Sequence, residues 1–327
     1  MAGDLGDPGG DQRDRGPHRA SGSVAAAVAA LKAGDLAILP TETVYGLAAD
    51  AANATAVARL YEAKGRPSFN PLIAHVADAG AAHRFAVLDG RAEALIAAFW
   101  PGPLTVVAPY REGSGAVSDL ARAGLDTVAV RAPAHPLAHA VLTAFGGAVA
   151  APSANRSGRP SPTTFADAAA ETGFAAATAL DGGPCDVGLE STVISLLDGP
   201  ARLLRPGAVT RAQIEALIGP LAEAEADAKR SPGRLTRHYA PAAPVRLNAE
   251  APGEGEAFLA FGPAPASPLT FNLSPAGDLR QAAANLFAML RAADALAPAA
   301  IAVAAIPEQG LGEAINDRLR RAAGQIG

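Results

Sequence analysis

Lys64-Gly65-Arg66 places two cations two positions apart, in a loop bounded by Pro67 and Pro71. Lysine is scarce in this chain: of 27 basic residues only Lys32, Lys64 and Lys229 are lysine, which leaves 24 arginines. A lysine offers a compact point charge and an arginine a planar fork for carboxylate or phosphate. Together they suit an anionic ligand with more than one acidic group. The competing reading is an ordinary helix C-terminus, where cations complement the helix dipole. On this motif alone that second reading is the better supported. Lys64 is in either case expected to be an exposed loop cation that adds little to folding stability.

Other stretches carry hydroxyl and amide groups at predicted strand exits. "PTETVYGLAAD" (residues 40–50) offers Thr41, Glu42, Thr43 and Tyr45, where open α/β sheets place ligands, although an ordinary capping turn reads the same way. "APSANRSGRPSPTT" (residues 151–164) brings Ser153, Asn155, Ser157 and Ser161, which can donate to phosphate oxygens, as can the loop's amides. It lacks the Gly-Lys-Ser/Thr ending of a Walker A loop, and an exposed serine-rich loop remains the alternative. "GLESTVISL" and "RLLRPGAV" add Ser191 and Arg205, and Arg131 closes "DTVAVR". His75 sits within "LIAHV", where a lone histidine is usually a core residue. No His, Asp or Glu group has metal-ligand spacing, and there is no nucleophile elbow. Cys185 has no partner base in view, so covalent catalysis lacks support.

The elements that must position these groups alternate. The apolar periods predict helices over "VAAAVAALK", "ATAVARLYEAKG", "RAEALIAAF", "HPLAHAVLTAFGG", "FADAAAETG" and "TRAQIEALIG", with strands "DLAILP", "NPLIAHV", "LTVVAPY", "DTVAVRAP", "STVISLL" and "ARLLR" between them. That order is the signature of an α/β fold. After Gly219 the apolar period stops in a charged, proline-rich stretch. A small βαβα unit follows, with strand "FLAFG", turn "NLSPAGD", helix "LRQAAANLFAMLRAADAL", strand "AIAVAAIP" and helix "LGEAINDRLRRAAG". It is Rossmann-like in shape but lacks a Gly-x-Gly-x-x-Gly turn, which argues against dinucleotide binding there. The expected organisation is a disordered tail over residues 1–20, a catalytic domain over 21–219, a linker over 220–244 and a small domain over 245–327.

Net charge is −5 with a pI near 5.7, so a global footprint for nucleic acid is missing. One cysteine among 327 residues excludes an internal disulfide and a Cys-rich metal site, and fits a reducing cytosol. The N-terminal stretch has no apolar core of a secretory signal. The longest apolar run, "LAPAAIAVAAI", is too short to span a bilayer, so no membrane role and a cytoplasmic location are expected.

Each motif is weak alone; their order is specific. "PTETVYGL", "KGRPSFNPLIAHV", "WPGPLTVV", "VAVRAP", "APSANRSGRPSPTT", "GLESTVI" and "LLRPGA", taken in sequence, resemble the threonylcarbamoyl-AMP synthase (YrdC-like) family. Its Lys-x-Arg followed by Ser-x-Asn is met by Lys64-Gly65-Arg66 and Ser153-Ala154-Asn155. "SPGRLTRHYAP" and "AINDRLRRAAG" resemble the long, two-domain branch.

The resemblance implies a twisted mixed α/β sheet with a small Rossmann-like C-terminal domain. It implies synthesis of L-threonylcarbamoyladenylate from L-threonine, bicarbonate and ATP with release of pyrophosphate, for modification of tRNA beside the anticodon. Mg2+ is expected on the ATP phosphates. By this resemblance Lys64 and Arg66 are catalytic. Thr43, His75, Arg131, Ala151 and Ser191 form the threonine pocket. Arg66, Asn70, Thr127, Ser153, Asn155, Ser161, Arg205 and Tyr239 contact ATP. The segment over residues 231–241, with Arg234, Arg237, His238 and Tyr239, is expected to fold over the cavity. The implied partner is the tRNA threonylcarbamoyl-transfer machinery, met transiently, with weak RNA contact possible. Two other functions share the fold. A double-stranded-RNA-binding module is disfavoured by net charge and the lack of stacking aromatics. A carbamoyl-transfer enzyme of hydrogenase maturation would need zinc fingers that one cysteine cannot build.

Overall fold

Continuous apolar runs such as "LAIL" and "TVAV" bury both faces, and they become central strands. The computed structural model describes residues 22–222 and 238–325. In chain order the strands are β1 Leu36–Leu39, β2 Gly46–Asp50, β3 Ile73–His75, β4 Leu104–Pro109, β5 Thr127–Arg131, β6 Val149–Ala150, β7 Ala176–Ala179, β8 Thr192–Ser195 and β9 Arg202–Arg205. Then follow β10 Val245–Arg246, β11 Ala257–Phe261, β12 Thr270–Ser274 and β13 Ile301–Val303. The first nine form one mixed sheet in the order β7-β1-β2-β6-β3-β5-β4-β8-β9. The last four form a second sheet, β10-β13-β11-β12, whose pairs are all parallel. The expected architecture is therefore met: a mixed α/β sheet with a small Rossmann-like unit.

Several strands differ from the sequence reading. β2 emerges from the second half of "PTETVYGLAAD" and pairs antiparallel with β1. Its Gly-Leu-Ala-Ala-Asp composition carries little β-preference, so pairing and burial decide its state. β7 follows the helix Phe165–Thr172 directly and pairs with β1. β12 occupies part of what reads as the turn "NLSPAGD"; it is an edge strand whose first three residues are half-buried, which blurs the alternation.

The helix Ala54–Lys64 starts at Asn53, whose side chain accepts from the amides of Thr55 and Ala56. It ends at Gly65, whose left-handed φ of 58° turns the chain so that Arg66 follows without a further helical turn. Its buried residues include Lys64 itself.

The main core lies between the large sheet and its helices and includes Ile38, Leu60, Leu95, Val106 and Val130. A second core fills the small unit with Leu259, Leu286, Phe287, Leu290 and Ile315, and it also takes in Val44, Leu189 and Tyr239. The two units are thus packed through shared apolar contacts. Gly188 shows how closely: with φ +71°, a Cβ there would lie 2.5 Å from the Ala283 carbonyl oxygen of the helix Leu279–Ala295. Ion pairs also cross the junction: Arg211–Glu313 at 3.0 Å, Arg291–Glu171 at 3.0 Å and Arg318–Glu190 at 2.9 Å.

Candidate active site

The stretches after β1, before β3, after β6 and before β8 converge with the ends of β5 and β9 on one cavity. Three guanidinium groups line it, from Arg66, Arg131 and Arg205. Thr43, His75, Ala151, Ser153, Ser191 and Tyr239 join them on the wall, so nine residues predicted from sequence meet there. Lys64, Asn70, Thr127, Asn155 and Ser161 do not reach the wall; all are buried. Arg234 and Arg237 lie outside the described residues, while His238 and Tyr239 line the cavity.

Arg131 ends β5 and is held on three sides. It donates to Glu42 Oε1 at 2.5 Å, to Thr43 Oγ1 at 3.0 Å and, through Nε, to the Gly102 carbonyl at 3.1 Å. Three of its five N–H groups are committed, so two remain for a ligand. Arg205, at the end of β9, wraps Ser191: Nε and Nη2 reach its carbonyl at 3.0 and 2.9 Å, and Nη2 its hydroxyl at 3.1 Å. Its Nη1 has no such tie to Ser191. The Ser191 hydroxyl also meets Thr105 Oγ1 at 2.7 Å. Arg66 leans on the Asn70 and Pro71 carbonyls. Burial brings its pKa down to about 10. A guanidinium so poorly solvated gains from an arriving anion.

Lys64 is not the exposed cation expected from the sequence. It is 3% exposed, and its ammonium donates to the carbonyls of Ser153 and Asn155. The correction has a local cause: Lys64 is the last residue of its helix and points into the loop after β6, not out beyond it. Burial first, and the Arg66 charge second, hold its pKa well below the usual lysine range. The Lys-x-Arg and Ser-x-Asn motifs are therefore two halves of one contact.

The two cavity histidines are neutral. Burial, reinforced by Arg131, brings His75 to about 3, and its Nδ1 lies 3.1 Å from the Ile73 carbonyl. His238 is brought to about 3 by burial. Burial pushes the Cys185 thiol up to about 12, which makes it a poor nucleophile. Among the described residues, no three His, Cys, Asp or Glu side chains are arranged to hold a metal ion. No helix among them is long and apolar enough to cross a membrane.

Two acidic roles escaped sequence reasoning: Glu190 altogether, and the partner of Glu42, which was singled out only as a polar group at a strand exit. Glu42 backs Arg131, and Glu190 is the one carboxylate among the described residues on the cavity wall. Glu190 accepts from Ser161 Oγ and from Arg318 Nε at 2.9 Å. Ser161 was read as a phosphate donor. Its single O–H is donated to Glu190 behind the cavity wall, so that proton is already committed. The side-chain oxygens of Asn70 and Asn155 and the Tyr239 hydroxyl are buried without a protein partner among the described residues.

Fold and site together define an α/β protein with a cation-lined cleft in its first unit, against which a second, Rossmann-like unit packs. Residues 29–207 match the family described as Telomere recombination (Sua5_yciO_yrdC). Residues 209–324 match Threonylcarbamoyl-AMP synthase, C-terminal domain. Threonylcarbamoyl-AMP synthase of Bacillus subtilis is 39% identical over 326 residues, covering 92% of this chain and 93% of the relative. The crystal structure of P. abyssi Sua5 complexed with L-threonine superposes with a TM-score of 0.85 at 37% identity, covering 92% of this chain and 94% of that one. A variant of P. abyssi Sua5 with a His and the following Tyr replaced by Ala superposes with a TM-score of 0.83 at 36% identity, covering 92% and 93%. The chain belongs to the threonylcarbamoyl-AMP synthase family, in its long two-domain branch.

Proposed function

We propose that this protein is an L-threonylcarbamoyladenylate synthase, a nucleotidyltransferase that joins L-threonine, bicarbonate and ATP and releases pyrophosphate. The observation that carries the proposal is the cavity in which Arg66, Arg131 and Arg205 converge beside Ser153 and Ser191, in a chain 39% identical to a relative of that name. The threonine amine takes up bicarbonate with loss of water, giving an N-carboxylate. One carboxylate oxygen then attacks the α-phosphorus of ATP, and pyrophosphate leaves with the electrons of the broken P–O bond. All reacting groups are anions, so the barrier is largely mutual repulsion, and fixed cations lower it. No protein nucleophile is needed.

Arg131 offers its two uncommitted N–H groups to the threonine carboxylate, beside Thr43, His75, Ala151 and Ser191. Arg66 and Arg205 face the phosphates, with Ser153 between them and Tyr239 against the nucleoside. Lys64 acts from behind the wall, as a charge beneath the Ser153–Asn155 loop that it also holds in shape. Asn70, Thr127, Asn155 and Ser161 are assigned to ATP as the surrounding, buried layer. Mg2+ travels with the ATP phosphates; Glu190 is already committed to Arg318 and Ser161, so it adds no acidic cradle. This chain has a single His-Tyr pair, His238–Tyr239. Its place on the cavity wall fits the interest in such a pair in the P. abyssi relative.

The product is labile toward water and serves tRNA modification, so the transfer machinery is a transient partner and the cytoplasm the working compartment. Domain boundaries at 21–219, 220–244 and 245–327 are part of this reading; two family matches that meet between residues 207 and 209 support a division in that region. The relatives' shared name favours synthesis over double-stranded-RNA binding. The test is incubation with ATP, Mg2+, labelled bicarbonate and threonine, followed by mass analysis. Pyrophosphate and a labelled threonine adenylate should appear together and only with all substrates present. Equal turnover without threonine or bicarbonate would sink the assignment.

A further inference from the structure

Three consecutive carbonyls in the loop after β6 are taken by side chains from two helix ends. Lys64 donates to those of Ser153 and Asn155, and Thr172 Oγ1 donates to that of Ala154 at 2.8 Å. Lys64 closes the helix Ala54–Lys64, and Thr172 closes the helix Phe165–Thr172. Beside Thr172 stands Glu171, a carboxylate that the proposed reaction does not use. Its side chain is 4% exposed, and its Oε2 accepts from the Arg156 amide at 3.1 Å.

That amide belongs to the same peptide unit as the Asn155 carbonyl. The peptide bond between Asn155 and Arg156 therefore has an ammonium on its oxygen and a carboxylate on its N–H. Both charges lie along the peptide dipole in the favourable sense, and each hydrogen bond strengthens the other. The other carboxylate oxygen, Oε1, faces Arg291 Nη1 at 3.0 Å and Arg159 Nε at 3.1 Å. Arg291 comes from the helix Leu279–Ala295 of the small unit and also donates to the Pro160 carbonyl. Joining the two units needs Oε1 alone. It does not account for Oε2, set opposite Lys64 across one peptide.

A buried ammonium with no counter-charge loses its hold on the proton. Burial first and Arg66 second lower the Lys64 pKa, and Glu171 is the group that raises it. His238, from the segment before β10, is kept neutral by its own burial. Burial would raise the Glu171 pKa, yet the Arg156 amide and then Arg291 hold it below the usual glutamate range. Glu171 is thus ionised near neutral pH. Arg156 and Arg159 are half-exposed, so water screens their grip on it.

We propose that Glu171 is the counter-charge of Lys64, linked to it through the Asn155–Arg156 peptide, and thereby a positioning residue for the loop that puts Ser153 on the cavity wall. It touches no substrate. It keeps the proton on Lys64, so the charge beneath the loop is in place when an anion arrives, and it fixes the plane of one loop peptide. The inference rests on the synthase reading only for the anion that this charge serves.

The experiment uses full-length protein, isotope-labelled at the lysine Cε and followed by NMR as pH is raised. The chain has only Lys32, Lys64 and Lys229, so the spectrum is simple, and the signal missing from Lys64→Met is that of Lys64. Glu171→Gln keeps an acceptor for the Arg156 amide but removes the charge. The Lys64 midpoint should fall by about one pH unit, a tenfold loss of proton affinity. Arg291→Met cuts the tie between the units but keeps the carboxylate. It should melt lower, with the Lys64 midpoint at or above that of wild type. Glu171→Gln with Arg291→Met removes the carboxylate together with the least exposed of its three cations. It should melt above Glu171→Gln and keep the lowered midpoint, so it decides the matter where Glu171→Gln alone does not fold. In the synthase assay, the alkaline limb of kcat should move to lower pH in the Glu171 variants. A wild-type midpoint or an unmoved limb in those variants, or an equal fall in Arg291→Met, would make Glu171 a structural contact and overturn the proposal. The titration needs neither ATP nor threonine, so failure of the synthase reading shows separately, as wild type that forms no pyrophosphate.

Discussion

At the scale of the residue, Lys64 shows how burial changes the meaning of a motif. Its ammonium satisfies two carbonyls in a loop that must stay ordered around an anion. Lys64→Ala should lower turnover by about 10²–10³-fold. It should also destabilise the fold by about 1–3 kcal/mol for each carbonyl left bare, which a denaturant titration reads. Lys64→Arg should fare no better, since a planar fork does not fit a socket built for one compact charge. Near-normal turnover of Lys64→Ala would return the residue to an ordinary helix end. His75 gives a second prediction. Its pKa is about 3 when folded against 6.5 as a free side chain, so between those values the unfolded chain binds the extra proton. Stability must then fall as pH falls from about 6.5, by about 2 kcal/mol at pH 5 for this histidine, and similarly for His238. Melting temperatures at pH 7.5 and 5.0 measure the loss, and His75→Gln should make it smaller.

At the scale of the element, what could be read in advance was what is local. Lys64-Gly65-Arg66, the hydroxyl-rich loop after β6 and the "GLEST" turn before β8 each announce themselves by composition and by the apolar run beside them. Glu190 and Arg318 do not, because their meaning lies in partners far off in sequence, 128 residues apart; Glu42 was visible as a polar group at a strand exit, but its pairing with Arg131, 89 residues away, was not. β2 and β7 were hidden for a related reason, since alanine-rich strands are set by the neighbours they pair with and not by their own preference. Gly207 ties two such elements together. A Cβ there would lie 2.4 Å from the Thr192 amide and 2.7 Å from the Glu190 carbonyl, all rigid backbone. Gly207→Ala should displace the Glu190–Ser191 turn, raise KM for both ATP and threonine, and cost about 1–3 kcal/mol of stability. Unaltered kinetics would mean that the turn after β9 moves freely.

At the scale of the whole molecule, the small unit completes the first one. Its core takes in Val44 and Leu189, and the cavity wall takes its counter-charge from Arg318. A chain ending at Gly219 should therefore expose apolar side chains, melt lower and lose ATP affinity more than threonine affinity. Equal melting temperature and equal ATP affinity in the shortened chain would show the two units to be independent.

Glu42 also governs how the empty protein behaves toward bystander anions. Because it already neutralises Arg131 at 2.5 Å, chloride, sulfate or free phosphate meets no bare cation at that point. A carboxylate ligand enters by exchange, sharing the guanidinium with Glu42 and taking only the two N–H groups left over. The free energy of entry is then a difference between two similar ion pairs, small in magnitude and easily reversed. Such a seat discriminates by shape more than by charge, and it lets go of its occupant as readily as it admits it. Under the proposed function, such a seat favours quick release of the product over tight holding.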